Sequence, residues 1–346
     1  MVKISAITMG ISVPSSRFRV RQYIPLLRKN NKIILKEHVQ LFSSINQKKI
    51  FKKRISKNSN RLIFQTIKII GRFPGVIDSY YSHATFIQKL CIPNLVKISK
   101  KPVLFDLDDA IWLYSDKARR DLIRIIRNVN LIVVGNNNLA DWVSNYTKYF
   151  RIVPTAVDPY RFHVKQYFGD KEHFVIGWTG TKVNLKYLYR IEKIISCFMN
   201  DFSDTRLHVI CDEQPKFKFI KIDHVKYVKW SEVNEVKGLQ EFDVGIMPLD
   251  DDEWTRNKCS FKMLQYMATG IPVVVTPVGM NKDILLSDEI GYGTRRIEDW
   301  YEALKHLKEN ISWRLKLGLN GRKLVEKYYS TKIIANKLST VFKEYV

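Results

Sequence analysis

The sequence predicts two doubly wound α/β domains, one after the other, that face each other across a cleft. Three observations support this fold class. The chain has 346 residues, more than a single hydrophobic core usually holds. Short runs rich in β-branched residues alternate with longer amphipathic stretches, which indicates parallel sheets with helical crossovers. The alternation lapses near residues 159–171 and then restarts.

The first domain is predicted to span residues 1–162. Its first amphipathic stretch, Arg17–Lys29, has the spacing of a helix. Its predicted strands are Lys3–Met9, Ile33–Phe42, Val76–Tyr81, Pro102–Asp106, Leu131–Gly135 and Arg151–Pro154. Because ligands of such sheets bind beyond the carboxyl ends of the strands, we expect substrate-binding residues in the loops that follow them.

The second domain is predicted to span residues 163–329. It opens with "HFVIGWTGT", much as "VKISAITMG" opens the first domain. Helical spacing is evident in Leu185–Met199 and Trp300–Tyr329. Its predicted strands are His173–Trp178, Arg206–Cys211, Val225–Lys229, Asp243–Pro248 and Pro272–Pro277.

Positive charge is concentrated in the first part of the chain. Residues 1–100 hold 20 Lys or Arg and two acids, a net charge of +18 out of the formal +24 of the whole chain. Such an asymmetry indicates an anionic partner: membrane lipid, nucleic acid or a phosphorylated acceptor. The chain has none of the usual nucleic-acid-binding signatures, so we do not expect nucleic acid as the partner.

A basic amphipathic stretch, Lys48–Arg72, alternates cations with Ile, Leu and Phe. We expect it to lie on an anionic membrane surface. The alternative is a solvated helix whose apolar side packs on the first domain. The four cysteines are scattered and form no C-x-x-C pair, so we expect reduced core residues and neither zinc nor disulfides. We expect a cytoplasmic protein, peripheral on the inner face of the cell membrane.

A helix is predicted from Ser260, as its N-cap, to about Ala268, with Gly270 as its C-cap. The side chains of Lys258, Lys262, Gln265 and Thr269 share one face of it, because their spacings are four, three and four. A helix start flanked by two lysines can bind a phosphate group. The alternative is a solvated lysine face.

The stretch "KMLQYMATGIPVV", which begins at Lys262, resembles the nucleotide-sugar-binding region of GT-B glycosyltransferases of the large retaining family four, or group 1. Its members carry "K-x-x-E-Y/A-M-A-x-G-x-P-V-V". The resemblance implies that Lys258 and Lys262 act in catalysis by stabilising the departing diphosphate, with Arg256 assisting. Two glutamates eight positions apart flank the donor in this family. Here Asn257 and Gln265 stand at those positions, and Gln265 would bind the ribose as an amide.

The resemblance extends along most of the chain. "VIGWTGTKVNLKYL" looks like the first strand and turn of the donor domain, which implies donor contacts for Gly180, Thr181 and Asn184. "SSRFRVRQYIPLL" resembles an opening of the first domain that is found in a subset of these enzymes. Arg17 and Arg19, with Arg21, could clamp a donor or acceptor phosphate there, and a structural role is the alternative.

Two further elements of the first domain fit the resemblance. His83 follows a predicted strand and is a candidate for contact with the acceptor or sugar, although a lone histidine is often structural. "PVLFDLDDAIW" has acids at a strand end, and we expect Asp108 and Asp109 to hydrogen-bond sugar hydroxyls or to steady developing positive charge. Capping of a helix is the alternative. Since GT-B enzymes generally need no metal, we expect none at Asp106, Asp108 and Asp109.

The resemblance thus implies a retaining glycosyltransferase that uses a nucleoside-diphosphate sugar and no cofactor. The acceptor would be a glycan or a lipid-pyrophosphate-linked glycan in bacterial surface polysaccharide synthesis. The last helix, about residues 330–346, would pack back on the first domain. Asn257 and Gln265 leave a non-catalytic GT-B-like nucleotide-sugar-binding or scaffold protein as the alternative, and a GT-B-like epimerase as a lesser one.

Overall fold

The computed structural model describes residues 1–11, 13–39, 70–165 and 172–346. They form two compact units. The first comprises Met1–Thr155 and Ile334–Val346, and the second comprises Ala156–Ile333. Each unit is built on its own six-stranded sheet, and all the strand pairs of both sheets are parallel. Among the helices of the described ranges, none is long and apolar enough to cross a membrane.

The sheet of the first unit has the strand order β2-β1-β3-β4-β5-β6. Its strands are β1 (Val2–Ile7), β2 (Ile33–His38), β3 (Ala84–Gln88), β4 (Val103–Leu107), β5 (Leu131–Val134) and β6 (Phe150–Ile152). The described helices of this part of the chain are α1 (Pro14–Arg19), α2 (Ile24–Asn31), α3 (Phe73–Tyr80), α4 (Pro93–Ile98), α5 (Asp116–Ile126) and α6 (Asn137–Ser144). Strands β3, β4 and β5 are buried along their whole length, as expected of a parallel sheet covered on both faces.

The sheet of the second unit has the strand order β12-β11-β10-β7-β8-β9. Its strands are β7 (Phe174–Thr179), β8 (Thr205–Cys211), β9 (Val225–Lys229), β10 (Val244–Met247), β11 (Val273–Val275) and β12 (Gly291–Gly293). The helices from here to the end of the chain are α7 (Leu185–Arg190), α8 (Glu192–Asp201), α9 (Glu232–Leu239), α10 (Glu253–Arg256), α11 (Phe261–Ala268), α12 (Met280–Leu285), α13 (Ile297–Glu309), α14 (Ile311–Leu324) and α15 (Thr331–Lys343).

One strand prediction in the first unit is wrong. Most of the predicted strand Val76–Tyr81 belongs to helix α3, with Tyr81 as its C-cap, and the strand that follows is β3. The β-branched and aromatic residues of this stretch suggest a strand. However, Pro74 occupies the start of the helix, where its fixed φ is tolerated, and Val76 and Ser79 turn the same side toward the protein interior.

The second unit differs from its prediction in helix lengths and in one strand. The predicted helix Leu185–Met199 is divided at Ile191 into α7 and α8. The predicted helix Trp300–Tyr329 is divided at Asn310 into α13 and α14 and ends in a short π-helical turn. Strand β12 has no counterpart in the prediction, because two of its three residues are glycine, which is depleted in strands.

The end of the chain is part of the first unit. Helix α15 begins in the second unit, and its residues from Ile334 onward belong to the first. Phe342 is fully buried, and its ring meets that of Phe86 on β3 edge-on at a centroid distance of 5.2 Å. The last helical turns therefore complete the core against the sheet of the first unit.

Replacing Phe342 with alanine tests this packing. We expect Phe342→Ala to cost about 3–5 kcal/mol of stability, because it removes a buried ring and leaves a cavity. Thermal and urea unfolding would measure the loss, and Lys343→Ala, at an exposed neighbouring position, is the matched control. Equal stability of the two variants would contradict the packing described.

Candidate functional site

The turn after β7 brings three predicted donor-binding residues together. The backbone N–H of Gly180 donates to the carbonyl of Ile210 at 3.0 Å. A Cβ atom at Gly180 would lie 2.2 Å from the Trp178 ring, so only glycine fits this close approach. The Asn184 side-chain amide donates to the Thr181 hydroxyl at 2.9 Å. Gly180, Thr181 and Asn184 thus form one turn at the carboxyl end of a central strand, where α/β sheets bind ligands.

Helix α11 has the predicted extent, with Ser260 at its N-cap position and Ala268 as its last residue. Ser260 has a left-handed φ of 48°, and its side chain makes no capping hydrogen bond. At the other end Gly270 has a φ of 71°, the left-handed conformation expected just past a helix. Further on, a Cβ at Gly279 would lie 2.1 Å from the carbonyl oxygen of Arg256. Glycine at 279 therefore lets the turn after β11 pack against the backbone that leads into α11.

Two lysines flank the start of α11, each beside a tryptophan. The Lys258 Nζ lies 5.1 Å from the centroid of the Trp254 ring, and the Lys262 Nζ lies 5.4 Å from that of Trp178. Burial lowers the pKa of Lys262 to about 7, and the nearby charge of Lys258 adds to this effect. An anion bound here would favour the charged form of Lys262 and offset the effects of burial and of Lys258 on its pKa. The arrangement is therefore suited to a phosphate group.

Gln265 is buried and bridges two helices. Its side-chain Nε2 donates to Oε1 of Glu235 on α9 at 3.0 Å. The same carboxylate accepts hydrogen bonds from the Trp230 Nε1 at 3.2 Å and from Arg161 Nη2 at 3.1 Å. Gln265 thus lies on the same helix as Lys262, while its side-chain amide points to Glu235. Its binding to ribose stays a prediction. Sequence reasoning missed Glu235, since its distance of 30 positions along the chain from Gln265 carries no periodic signal.

The other two residues singled out near this helix have partners close in sequence. The Asn257 side-chain amide donates to the carbonyl of Glu253 at 2.7 Å, one turn earlier in α10. Arg256 Nε donates to an Asp251 carboxylate oxygen at 2.6 Å, on the surface. Both contacts are local, within five positions along the chain.

In the first unit, Arg19 is buried in a charge pair. Its Nε lies 3.2 Å from each carboxylate oxygen of Asp106, and its Nη1 donates to the carbonyl of Val153 at 2.6 Å. Burial raises the pKa of Asp106, although the charge of Arg19 opposes that rise. The guanidinium of Arg19 is therefore committed to groups at the carboxyl end of β4 and to the chain just after β6.

The three arginines of the predicted phosphate clamp have separate partners. Arg17 places its guanidinium 4.1 Å from the centroid of the Phe18 ring. Arg21 forms an ion pair with Glu37 at 2.8 Å. Arg19 is engaged inside the unit with Asp106. Phosphate binding by Arg17 and Arg19 stays a prediction.

The acids after β4 share a lysine that the sequence analysis did not identify. The Lys89 Nζ lies 3.0 Å from Asp108 Oδ1 and also contacts Asp109. Burial opposes the charge on Lys89, but the two carboxylates outweigh it and raise its pKa. Burial likewise opposes the charge of Asp108, yet Lys89 and then Arg19 lower the pKa of this acid. The 3₁₀ turn that follows is preceded by Ala110, so neither acid caps it.

Asp109 is the most accessible acid of this group. Its side chain is 28% exposed, against 11% for Asp108, while Asp106 is fully buried. Lys89 follows β3 directly, and Gln88 pairs with Asp106 across the sheet. A correct prediction of β3 would therefore have placed Lys89 at the carboxyl ends of the strands, beside the acids.

His83 lies at the opposite end of these strands, just before β3 begins. It precedes β3, where its Nδ1 accepts a hydrogen bond from the Lys3 backbone N–H at 3.1 Å. The prediction that His83 follows a strand is wrong, because the strand expected before it is helix α3. In the first unit, His83 is thus at the amino ends of the strands, away from Asp108 and Asp109.

Three remaining expectations concern the membrane, a metal and the cysteines. Of the basic stretch 48–72, residues 48–69 lie outside the described residues. In the part of the chain that the structure describes, no group of three or more His, Cys, Asp or Glu side chains could hold a metal ion. None of the four cysteines, all of which lie in the described ranges, forms a disulfide. Cys211 and Cys259 are buried, whereas Cys197 is exposed, so the expectation of four core cysteines is wrong for Cys197.

Solved structures share this two-sheet architecture. Sucrose-phosphate synthase from Thermosynechococcus elongatus is 13% identical, with a TM-score of 0.71 over 99% of both chains. A glycosyltransferase involved in lipopolysaccharide biosynthesis, WaaG, is 12% identical, with a TM-score of 0.67 over 99% of both chains. The chain has the GT-B fold.

Two further comparisons concern the sequence and bound ligands. Residues 173–310, less than half of the chain, match the family model described as "Glycosyl transferases group 1". The matched stretch contains β7, α11 and both lysines. Anabaena Alr3699/HepE was solved in complex with UDP and glucose and is 10% identical in sequence. Its TM-score is 0.66, and the alignment covers 99% of the present chain and 100% of HepE. No curated protein matches the chain in sequence.

Exchanging the amide and the acid of the Gln265–Glu235 pair tests their coupling. We expect Gln265→Glu to destabilise the second unit by about 1–3 kcal/mol, because two carboxylates would then meet in a buried place. Adding Glu235→Gln restores one acid and one amide, and we expect it to recover most of the loss. Urea unfolding of the wild type, both single variants and the double variant gives the coupling free energy. Additive effects of the two changes would contradict the pairing.

The lowered pKa of Lys262 predicts a dependence of stability on pH. The unfolded chain has its lysine near pKa 10.5 and the folded chain has it at about 7, so the unfolded state binds the extra proton between these values. The wild type should therefore gain stability relative to Lys262→Met as pH rises from 7 to 10, by up to about 4 kcal/mol. Unfolding across this pH range measures the difference. The control Lys282→Met, at an exposed position, should show no such trend, and parallel curves for Lys262→Met and the wild type would contradict the shift.

Proposed function

We propose that this protein is a glycosyltransferase that moves a sugar from a nucleoside-diphosphate sugar to a glycan or lipid-linked acceptor, with retention of configuration. One observation carries the proposal. The two lysines beside the start of α11 lie within the stretch that matches the glycosyl transferases group 1 model. One of them, Lys262, has a pKa that a bound anion would raise.

The donor diphosphate is proposed to bind at Lys258, Lys262 and the N-terminal end of α11. The helix end contributes backbone N–H groups and a partial positive charge. In the reaction, the bond between the sugar anomeric carbon and the diphosphate oxygen breaks, and the acceptor oxygen forms its bond on the same face of the sugar. The acceptor proton passes to the departing diphosphate. The lysines stabilise the negative charge that develops there.

The remaining donor contacts are proposed on the turn after β7 and on α11. Gly180 lets a ligand approach the backbone, and Thr181 and Asn184 supply hydrogen-bonding groups. Gln265 is proposed at the ribose and Arg256 as an auxiliary cation. Because HepE was solved with UDP and glucose, and a TarM mutant of S. aureus with UDP, UDP-sugars are the first donors to test.

In the first unit, Asp108 and Asp109 are proposed to hydrogen-bond sugar hydroxyl groups. Their joint contact with Lys89 fixes both carboxylates and keeps Asp108 ionised. Asp109 has the greater exposed fraction and is the better placed of the two to accept a hydrogen bond from a ligand. Neither acid needs a metal for this role.

We propose that the reaction belongs to bacterial surface polysaccharide synthesis, on the inner face of the cell membrane. The concentration of positive charge in residues 1–100 favours an anionic surface or a pyrophosphate-linked acceptor. The similarity to a lipopolysaccharide glycosyltransferase supports the same class of pathway. Basic residues 48–72 are proposed to contribute to membrane contact.

A non-catalytic nucleotide-sugar-binding or scaffold protein is the second candidate. Asn257 and Gln265 stand where relatives are expected to carry acids, and both amides have protein partners. Such a protein would bind the nucleotide and leave the sugar in place.

A panel of UDP-, GDP- and dTDP-sugars tests the function. We expect one donor to raise the melting temperature and to be hydrolysed or transferred. NMR should show that the first product has the same anomeric configuration, α or β, as the donor sugar. Lys262→Ala should weaken binding of the free nucleoside diphosphate about tenfold or more, since it removes a charge-assisted contact. Isothermal titration calorimetry measures this affinity, and Lys282→Ala, at an exposed position, is the matched control.

The outcomes separate the candidates. Nucleotide binding with no turnover of any sugar favours the scaffold. Inversion at the anomeric carbon contradicts retention but leaves transfer intact. An unchanged affinity in Lys262→Ala contradicts the diphosphate site, and failure of every nucleotide to bind contradicts both candidate functions.

A further inference from the structure

Helix α3 is apolar on two sides. One side packs on the sheet of the first unit: Val76 is buried, and the carbonyl of Gly75 accepts a hydrogen bond from the Ser5 hydroxyl at 2.9 Å. The other side carries Phe73, Ile77 and Tyr80, whose spacings of four and three align them along the helix. A surface helix normally has one apolar stripe and a polar opposite face.

The outer side of α3 forms an exposed apolar patch with two neighbouring residues. The patch consists of Phe73, Ile77, Tyr80, Tyr81 and Ile98, which are between 36% and 78% exposed. Together with Val76 they line a shallow groove of about 400 Å³. Single exposed apolar side chains are ordinary, but a contiguous group of this kind marks an interaction surface.

The surroundings of the exposed apolar patch are cationic. Lys97, Lys100 and Lys101 are exposed, and the Lys100 Nζ donates to the carbonyl of Tyr80 at 3.3 Å and of Ser82 at 3.1 Å. Asp78 is the only acid between residues 70 and 101, and it is paired with Lys36 at 2.6 Å and with His38. Within residues 70–101, the rim of the patch therefore has an excess of positive charge.

This combination indicates a lipid bilayer as the occupant. Protein–protein interfaces are depleted in lysine, whereas an anionic membrane attracts lysines and also accepts apolar side chains beneath its headgroups. Tyrosine is enriched at the level of the headgroups, where its ring is apolar and its hydroxyl is wet. The patch presents two tyrosines next to Phe73, Ile77 and Ile98.

We propose that the exposed apolar patch inserts into the interfacial layer of an anionic membrane, with Lys97, Lys100 and Lys101 at the lipid phosphates. The inference rests on the membrane association in the proposed function, deepens it, and names a surface built from residues other than 48–69. It does not depend on transferase activity. The patch adjoins the start of β3, whereas the acids Asp108 and Asp109 follow the end of β4, so its substitution leaves the candidate site intact.

Flotation with lipid vesicles tests the surface in the full chain. Vesicles of phosphatidylcholine alone are compared with vesicles that contain phosphatidylglycerol, at low and high salt. Wild-type protein should bind the anionic vesicles preferentially. The double variant Ile77→Ser, Tyr81→Ser should bind them about tenfold more weakly, because both side chains lose burial in the membrane. Replacing Lys97, Lys100 and Lys101 with glutamine should weaken binding and reduce its dependence on salt.

The matched control is Ile222→Ser, Leu286→Ser, which removes two exposed apolar side chains from the second unit and should leave vesicle binding unchanged. Circular dichroism and thermal unfolding verify that each variant folds. A further variant, with Lys48, Lys49, Lys52 and Lys53 changed to glutamine, separates the two membrane claims. If it abolishes binding while Ile77→Ser, Tyr81→Ser binds as the wild type does, the patch is not the docking surface.

Two other results would overturn the inference. One is a wild type that binds no vesicle or binds neutral and anionic vesicles equally, which also contradicts the proposed membrane association. The other is an oligomer in light scattering that Ile77→Ser, Tyr81→Ser dissociates without affecting vesicle binding, which would make the patch an interface between copies of the chain.

Discussion

Charge buried at the carboxyl ends of parallel strands has to be compensated inside the unit, and the candidate site of the first unit is organised by this requirement. In the first unit, Asp106 is enclosed and takes the guanidinium of Arg19, while Lys89 serves both Asp108 and Asp109. An unpaired ion in such surroundings would cost several kcal/mol. These pairs therefore determine which groups are left to meet a ligand, and the accessible one is the carboxylate of Asp109.

The sequence analysis predicted the fold because alternation of strands and helices is a property of local pattern. Ten of the strands it predicted overlap strands of the two sheets, and the GT-B fold follows from their parallel order. The strand prediction around Val76 was wrong because the β-branched and aromatic residues there belong to a helix with two apolar sides. That single error had consequences for the site: it put His83 after a strand, and it hid the position of Lys89 at the sheet edge.

For the candidate site, the sequence could predict only what the spacing of residues along a helix shows. Spacing places Lys258 and Lys262 together at the start of α11, and the glycines at 270 and 279 mark the turns around it. Spacing cannot show that Trp178 and Trp254 lie beside the two lysines, nor that burial lowers the pKa of Lys262. Those properties depend on contacts between β7, α10 and α11, which are assembled only when the sheet forms.

The amide at position 265 follows from the same compensation of charge. Glu235 is buried and already has Arg161 and Trp230 as hydrogen-bond donors, and Gln265 supplies a third. A carboxylate at 265 would meet that of Glu235 at hydrogen-bonding distance, and one of the two would have to take up a proton. Glutamine avoids this conflict while keeping an oxygen that can accept a hydrogen bond. The amide at 265 is thus compatible with the buried acid on α9, and it leaves the cationic start of α11 unchanged.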